Sequence, residues 1–218
     1  IDLDAVASET GVARESIETA ARLYAGARSS AILYALDNVP AALHRDCVLA
    51  LADLALLTGN VGRPASGLYP LRQGTNEQGA YDVGCVPGLL PGYRPVSDAQ
   101  ARQELSAAWG ATLPDERGVG VTGLPAAIRE GRVVALVALG AGGAFAQELQ
   151  ACAEKLELLV VQDVFLGPLA RQAHVVLPAA TFAEKAGTYT NLERRIQLLR
   201  PAIEPKNSQA RPAWWLLA

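Results

Sequence analysis

Val133-Val134-Ala135-Leu136-Val137-Ala138-Leu139, then Gly140-Ala141-Gly142-Gly143, then a helix-forming run over 144–156, then Leu158-Leu159-Val160-Val161-Gln162-Asp163: this stretch decides the fold. Its two apolar runs are continuous rather than alternating, the pattern of strands covered on both faces of a parallel sheet. Antiparallel strands with one wet face would alternate. Strand, glycine stop, helix and second strand make one crossover unit. His174-Val175-Val176-Leu177 adds a further short strand and stops at Pro178, which has no amide hydrogen to give a ladder.

Outward from this unit the pattern continues. A short helix is predicted over 2–8, broken at Gly11, and a second over 13–24 with Ile17, Ala20, Ala21 and Tyr24 at helical spacing. A buried strand follows over 31–36. The apolar helix over 43–57 is ended by Thr58-Gly59-Asn60, because Gly and Asn tolerate the left-handed conformation that closes helices. From 61 to 95 Gly and Pro are too dense for a continuous element, yet the segment is too apolar for a disordered linker, so it reads as a functional loop. Helices over 99–109 and 124–129 complete the reading. The expectation is one α/β domain over 1–218 with a doubly wound, mostly parallel sheet.

Half of the 218 residues are hydrophobic and 19% are charged, enough apolar material for a chain of this length to bury about 70% of its unfolded surface. A net charge of −3 supplies no basic field for a phosphate backbone, so nucleic acid is not an expected partner. The apolar runs fall short of the ~20 residues that cross a bilayer, so no direct membrane span is expected. Cys47, Cys85 and Cys152 are too widely spaced for a metal knuckle or a disulfide framework and are expected as buried or partly buried thiols. The chain lacks Met and ends just after Trp214-Trp215-Leu216-Leu217, which reads as an internal fragment of a larger subunit. Other domains of that subunit, and other subunits of a complex, are then its expected partners.

Ligands of parallel sheets gather at the carboxyl ends of the strands. Gly140-Ala141-Gly142-Gly143 follows a strand and opens a helix, where backbone amides can hold a phosphate, although a plain tight turn fits the same residues. The full GxGxxG spacing is absent, and Asp163 comes close to the ribose-binding register. His44 and His174 have no carboxylate or cysteine at ligand spacing, so no metal site is expected. No nucleophile elbow, zinc-protease motif or close pair of acids points to hydrolysis. Glu193-Arg194-Arg195 reads first as a solvated charged face.

Three further stretches carry a resemblance. Leu54-Ala55-Leu56-Leu57-Thr58-Gly59-Asn60-Val61-Gly62-Arg63-Pro64 runs into Gly67-Leu68-Tyr69-Pro70-Leu71-Arg72 and Asn76-Glu77-Gln78-Gly79-Ala80-Tyr81-Asp82-Val83-Gly84, with Pro91-Gly92-Tyr93 beyond. Val175-Val176-Leu177-Pro178-Ala179-Ala180-Thr181-Phe182-Ala183-Glu184-Lys185 comes next, and Gly187-Thr188-Tyr189-Thr190-Asn191-Leu192-Glu193-Arg194-Arg195-Ile196-Gln197 last. In this order, and over nearly the whole chain, they resemble the molybdopterin oxidoreductases. Within that family the likeness extends both to the formate dehydrogenase catalytic subunit and to the iron-sulfur subunit of the same fold in the NADH-quinone oxidoreductase of respiratory complex I, which kept its clusters and often lost the pterin.

The resemblance implies an α/β pterin-binding domain and divides into two readings. Formate dehydrogenases carry Arg-Gly-Gln-Asn-Asn-Val-Gln-Gly where this sequence has Arg72-Gln73-Gly74-Thr75-Asn76-Glu77-Gln78-Gly79. Arg72 matches the arginine near the metal, whereas Gly74 displaces a pterin-contacting Gln and Glu77 places like charge beside an anionic cofactor. Gly140-Ala141-Gly142-Gly143 replaces the family's Gly-Glu-Asn-Pro, and His174 replaces an Asp. These departures favour the complex I reading: electron transfer from NADH to quinone, a degenerate scaffold with no cofactor in the fragment, and Glu193, Arg194 and Arg195 pairing at a domain boundary. The parent is then expected to be cytoplasmic, peripheral to the inner membrane, with iron-sulfur clusters. The alternative is a formate-dehydrogenase-like enzyme with molybdopterin guanine dinucleotide. There Arg72 is catalytic, and Asn76, Gln78, Gly79, Gly140 and Asp163 border the cofactor, positions that are vestigial under the first reading. A third reading, a free-standing nucleotide-binding module, rests only on the strand, glycine loop and helix pattern.

Overall fold

The computed structural model of the chain describes residues 1–72, 74–204 and 209–218, so Gln73 lies outside the described residues. The chain divides into two compact units, Ile1–Thr75 and Asn76–Ala218. In the first, helix α1 (Leu3–Thr10) starts where Asp2 Oδ1 accepts from the amides of Asp4 and Ala5 at 3.0 and 3.2 Å. A carboxylate there satisfies donors that the first helical turn leaves open. Helix α2 (Arg14–Gly26) leads to strand β1 (Ala31–Tyr34), and helix α3 (His44–Leu57) to strand β2 (Gly67–Pro70). The two strands pair in parallel from Ala31 opposite Gly67 to Tyr34 opposite Pro70. Strand β2 corrects the reading of 61–95 as an irregular loop: it is four residues long, and glycine and proline at its ends mask it. Buried Asn60 joins the end of α3 to the start of β1, accepting from the Ser30 amide at 2.9 Å and donating to Thr58 Oγ1 at 2.9 Å.

The second unit opens with helix α4 (Glu77–Asp82), an antiparallel pair β3 (Leu89–Leu90) and β4 (Arg94–Pro95), and helices α5 (Ala99–Trp109) and α6 (Leu124–Arg129). Strand β5 (Ala135–Leu139), helix α7 (Gly143–Gln150), strand β6 (Leu158–Asp163), helix α8 (Pro168–Gln172) and strand β7 (Val175–Pro178) then build a parallel sheet in the order β5-β6-β7. The antiparallel hairpin of β8 (Gly187–Thr190) and β9 (Ile196–Leu199) and the short helix α9 (Ala213–Leu217) follow. This is an α/β protein with parallel sheets, as the continuous apolar runs require. Helix α7 is shorter than the predicted 144–156, because Cys152 at φ −131° leaves helical geometry and a 3-10 turn, Ala153–Lys155, finishes the crossover.

Helices α6, α7 and α8 pack against the sheet through Ile128, Leu149, Leu159, Val161 and Leu169. Leu159 is wholly buried, and removing a leucine side chain from water stabilises by roughly 2 kcal/mol. Cys152 lies in this core and Cys47 is half-buried, but Cys85 is exposed, which corrects its expected burial. It follows Gly84, whose φ of 75° turns the chain outward at the end of α4. At Gly84 a Cβ would stand 2.8 Å from the backbone of Leu90 and Pro91, so only glycine fits.

Candidate functional site

At the carboxyl end of β5 the chain turns at Gly140, with φ of 63°, while its amide donates to Gln162 O of β6 at 2.8 Å. Gly142 precedes α7 and Gly143 starts it at φ 68°, and no side chain caps the helix. A Cβ built at Gly140, Gly142 or Gly143 would meet nothing within 4 Å, so the space over the loop is open. Amides of an uncapped first turn, with the positive end of the helix dipole, suit an anionic group.

Two clefts meet at this loop. One, about 670 Å³, runs between a wall at 84–87 and the strand and loop at 136–142, with Val119, Val121 and Phe145 also lining it. The other, about 360 Å³, lies over Gly142, Gly143, Asp163, Gly167 and Leu169. Asp163 Oδ1 accepts from the amides of Val164 and Phe165 at 2.6 and 3.3 Å, which fixes the carboxylate at this cleft. Of the residues assigned to the cofactor from sequence, Gly140 and Asp163 therefore meet at one end of the sheet.

Asn76, Gln78 and Gly79 do not line either cleft. Asn76 pairs with the outer edge of β8: Nδ2 donates to Thr188 O at 3.1 Å and Oδ1 accepts from the Thr190 amide at 2.9 Å. Alternation of the antiparallel ladder turns these two backbone groups outward. A Cβ on Gly79 would stand 2.4 Å from Asn76 Oδ1, so glycine there makes room for the amide.

Gln78 donates to Asp82 Oδ1 at 3.0 Å and to the Tyr93 hydroxyl. Arg194 reaches the same carboxylate oxygen with Nη2 at 2.9 Å and lies over the Tyr93 ring at 5.5 Å from its centroid. Burial alone would raise the Asp82 pKa. The hydrogen bonds from Gln78, Tyr93 and Arg194 and the Arg194 charge outweigh it and hold the carboxyl below its ordinary range. The charged run at 193–195 is exposed, as a solvated face would be, and Arg194 makes its ion pair with Asp82 inside this unit. Sequence reading missed Asp82 and Tyr93 because their partner is about a hundred positions away.

Two of the departures read as signs of a degenerate site have other causes. His174 stands at the amino end of β7, opposite to the glycine loop. Its amide donates to Leu159 O and its Nδ1 accepts from the Leu159 amide, both at 2.9 Å. An aspartate would accept the same bond, so the imidazole replaces a carboxylate in kind. Glu77 occupies the first turn of α4, where an acidic side chain complements the helix dipole. Arg72 follows β2 in the first unit and is exposed. Among the described residues no group of three or more His, Cys, Asp or Glu is placed to hold a metal, and no helix is long and apolar enough to cross a membrane.

Residues 31–218 match the family model for molybdopterin oxidoreductase. The chain is 37% identical to "Probable oxidoreductase YjgC" of Bacillus subtilis, over 99% of this chain and 22% of that protein. It is 36% identical to formate dehydrogenase H of Escherichia coli, over 93% of this chain and 29% of that protein. Identity to the F420-dependent formate dehydrogenase 2 subunit alpha of Methanococcus maripaludis is also 36%, over 99% and 32%. The chain thus spans between about a fifth and a third of the length of these relatives. With a family match over most of its length, on a sheet whose carboxyl edge carries an open glycine loop, the chain belongs to the molybdopterin oxidoreductase family.

Proposed function

We propose that this sequence is part of the catalytic subunit of a formate-dehydrogenase-like oxidoreductase, and that its second unit holds the nucleotide end of molybdopterin guanine dinucleotide. The observation that carries the reading is the open loop at 140–143, uncapped and beside Asp163 at the carboxyl edge of β5 and β6. These residues fit such a group: bare glycine backbone can approach a pyrophosphate, and the Asp163 carboxylate can accept from ribose hydroxyls. The relatives named formate dehydrogenase favour this reading over the complex I subunit. His174 and Glu77, which had spoken for a decayed site, have structural causes here.

When bound, the pterin's molybdenum or tungsten supplies the two-electron oxidation of formate. The amides at 142–143 would bind the pyrophosphate, and Arg72 would hold the substrate carboxylate through its paired N–H donors. Partner subunits belong to the same proposal, since a relative is named as an alpha subunit.

Elemental and pterin analysis of the full-length protein tests it. Molybdenum or tungsten near one per chain, released pterin and formate-dependent reduction of an artificial acceptor are expected, with Arg72→Ala lowering turnover by about 10²-fold or more at unchanged metal content. Iron without molybdenum, tungsten or pterin would refute the proposal and restore the complex I reading.

A further inference from the structure

The β8–β9 turn has a three-residue loop, 192–194, closed by the Asn191 amide donating to Arg195 O at 3.1 Å and the Arg194 amide donating to Asn191 O at 2.9 Å. Asn191 Oδ1 also accepts from the amides of Glu193 and Arg195 at 3.0 and 2.9 Å. In such loops the third residue takes the left-handed conformation, and glycine is preferred there. Here that residue is Arg194, with φ of 59°. Its ring partner Tyr93 is left-handed as well, with φ of 62°. Two non-glycine residues in this strained region, touching each other, mark a place where something other than local backbone preference was selected.

What Arg194 gains is its contact with Asp82 and Tyr93. Asp82 ends α4, its carbonyl accepts from the Gly92 amide at 3.0 Å, and the chain leaving it becomes the 84–87 wall of the larger cleft. The wall opposite carries Gly140, Ala141 and Gly142. We infer that Arg194 is a positioning residue: by latching the hairpin turn onto Asp82 and Tyr93 it fixes the 84–87 wall at the separation from the glycine loop that a nucleotide requires. This rests on the nucleotide-site reading above. Arg194 does not itself touch the ligand in this proposal. Without the latch the wall samples other positions, and apparent affinity falls by the fraction of time it is correctly placed.

The variant that separates a latch from a mere turn residue is Arg194→Gly, which relieves the left-handed strain and so keeps the hairpin while removing the guanidinium. The full-length protein, produced without its pterin cofactor, is titrated with guanosine diphosphate as probe of the nucleotide end. Amide exchange of 83–90 and 187–199 is followed without ligand. The wild type is expected to bind. Arg194→Gly is expected to bind about tenfold more weakly, the effect of losing an exposed ion pair and a cation–π contact together. Its melting temperature should be unchanged, and exchange over 83–90 should rise by a similar factor. Arg194→Lys, keeping the charge but not the flat stack, should fall between. Wild-type affinity in Arg194→Gly, or weakened binding accompanied by faster exchange throughout β5–β7, would overturn the latch. A wild type that does not bind the probe would remove the nucleotide-site reading itself, and the latch with it.

Discussion

Asn76 and Gly79 offer a sharp test of how the second unit is held together. Replacing Asn76 with Ala removes its bonds to Thr188 O and the Thr190 amide, and Thr190 is only 6% exposed. A buried amide left without a partner costs about 1–3 kcal/mol, and the lost bond to Thr188 about 1 more, so the variant should lose roughly 2–4 kcal/mol. Gly79→Ala acts on the same joint from the other side. Its Cβ would fall 2.4 Å from Asn76 Oδ1 and expel the amide. The same bonds go, offset by the ~0.5–1 kcal/mol that alanine gains over glycine inside a helix, for a net loss of about 1–3 kcal/mol. Once Asn76 is alanine that oxygen is gone, so adding Gly79→Ala should stabilise by about 0.5–1 kcal/mol. Urea denaturation of the wild type, both single variants and the double variant measures the cycle. A double variant whose loss equals the sum of the singles to within ~0.5 kcal/mol would refute the joint.

Leu159→Ala, at a wholly buried strand position, should cost about 3–5 kcal/mol in the same assay, since the helices on that face cannot collapse into the void. A loss under ~1.5 kcal/mol would mean that the site is not packed as described. His174→Asp should retain stability within ~1 kcal/mol because either side chain accepts from the Leu159 amide, whereas His174→Ala should lose about 1–2 kcal/mol. Equal losses in the two would sink the idea of replacement in kind. Asp82 binds a proton more weakly folded than unfolded, so its contribution is full above the ordinary carboxylate pKa of about 4 and disappears as pH falls through the lower folded value. Wild type and Asp82→Asn should therefore converge in stability below about pH 4 and stay a constant amount apart above about pH 5. Parallel profiles through the acid range would show that the carboxylate is not held by its three donors.

The unit that the sequence displays most openly is β5-α7-β6-α8-β7, because continuous runs such as Val133 to Leu139 have few alternatives to a parallel strand, although one face of β5, with Val137 and Leu139, is exposed here. The place of Gly140 and Asp163 at the carboxyl edge of the sheet was legible for the same reason: Gly140 follows β5 and Asp163 ends β6. Strand β2 was not, since Gly67 and Pro70 mimic loop composition. Neither was the hairpin joint. Asn76 reads locally as part of a family loop, and nothing near it reveals that its amide is used by β8. The Arg194 contact needed Asp82 and Tyr93 beside it, an arrangement that only the fold supplies. His174 shows the converse, a substitution that looks functional until the bond it makes is known.

The Asn76 joint also bears on when, rather than how firmly, this region assembles. Its bonds link residues 112 and 114 positions apart, and closing so long a loop from an unstructured chain costs about 4 kcal/mol in entropy. Formation of β5 to β7 between the two ends shortens the effective loop, so the α4–β8 connection should consolidate after the parallel sheet has condensed. Substitutions at Asn76 would then accelerate unfolding and leave the folding rate nearly unchanged. On the ribosome α4 emerges long before β8, and until its partner arrives the amide of Asn76 is satisfied only by water.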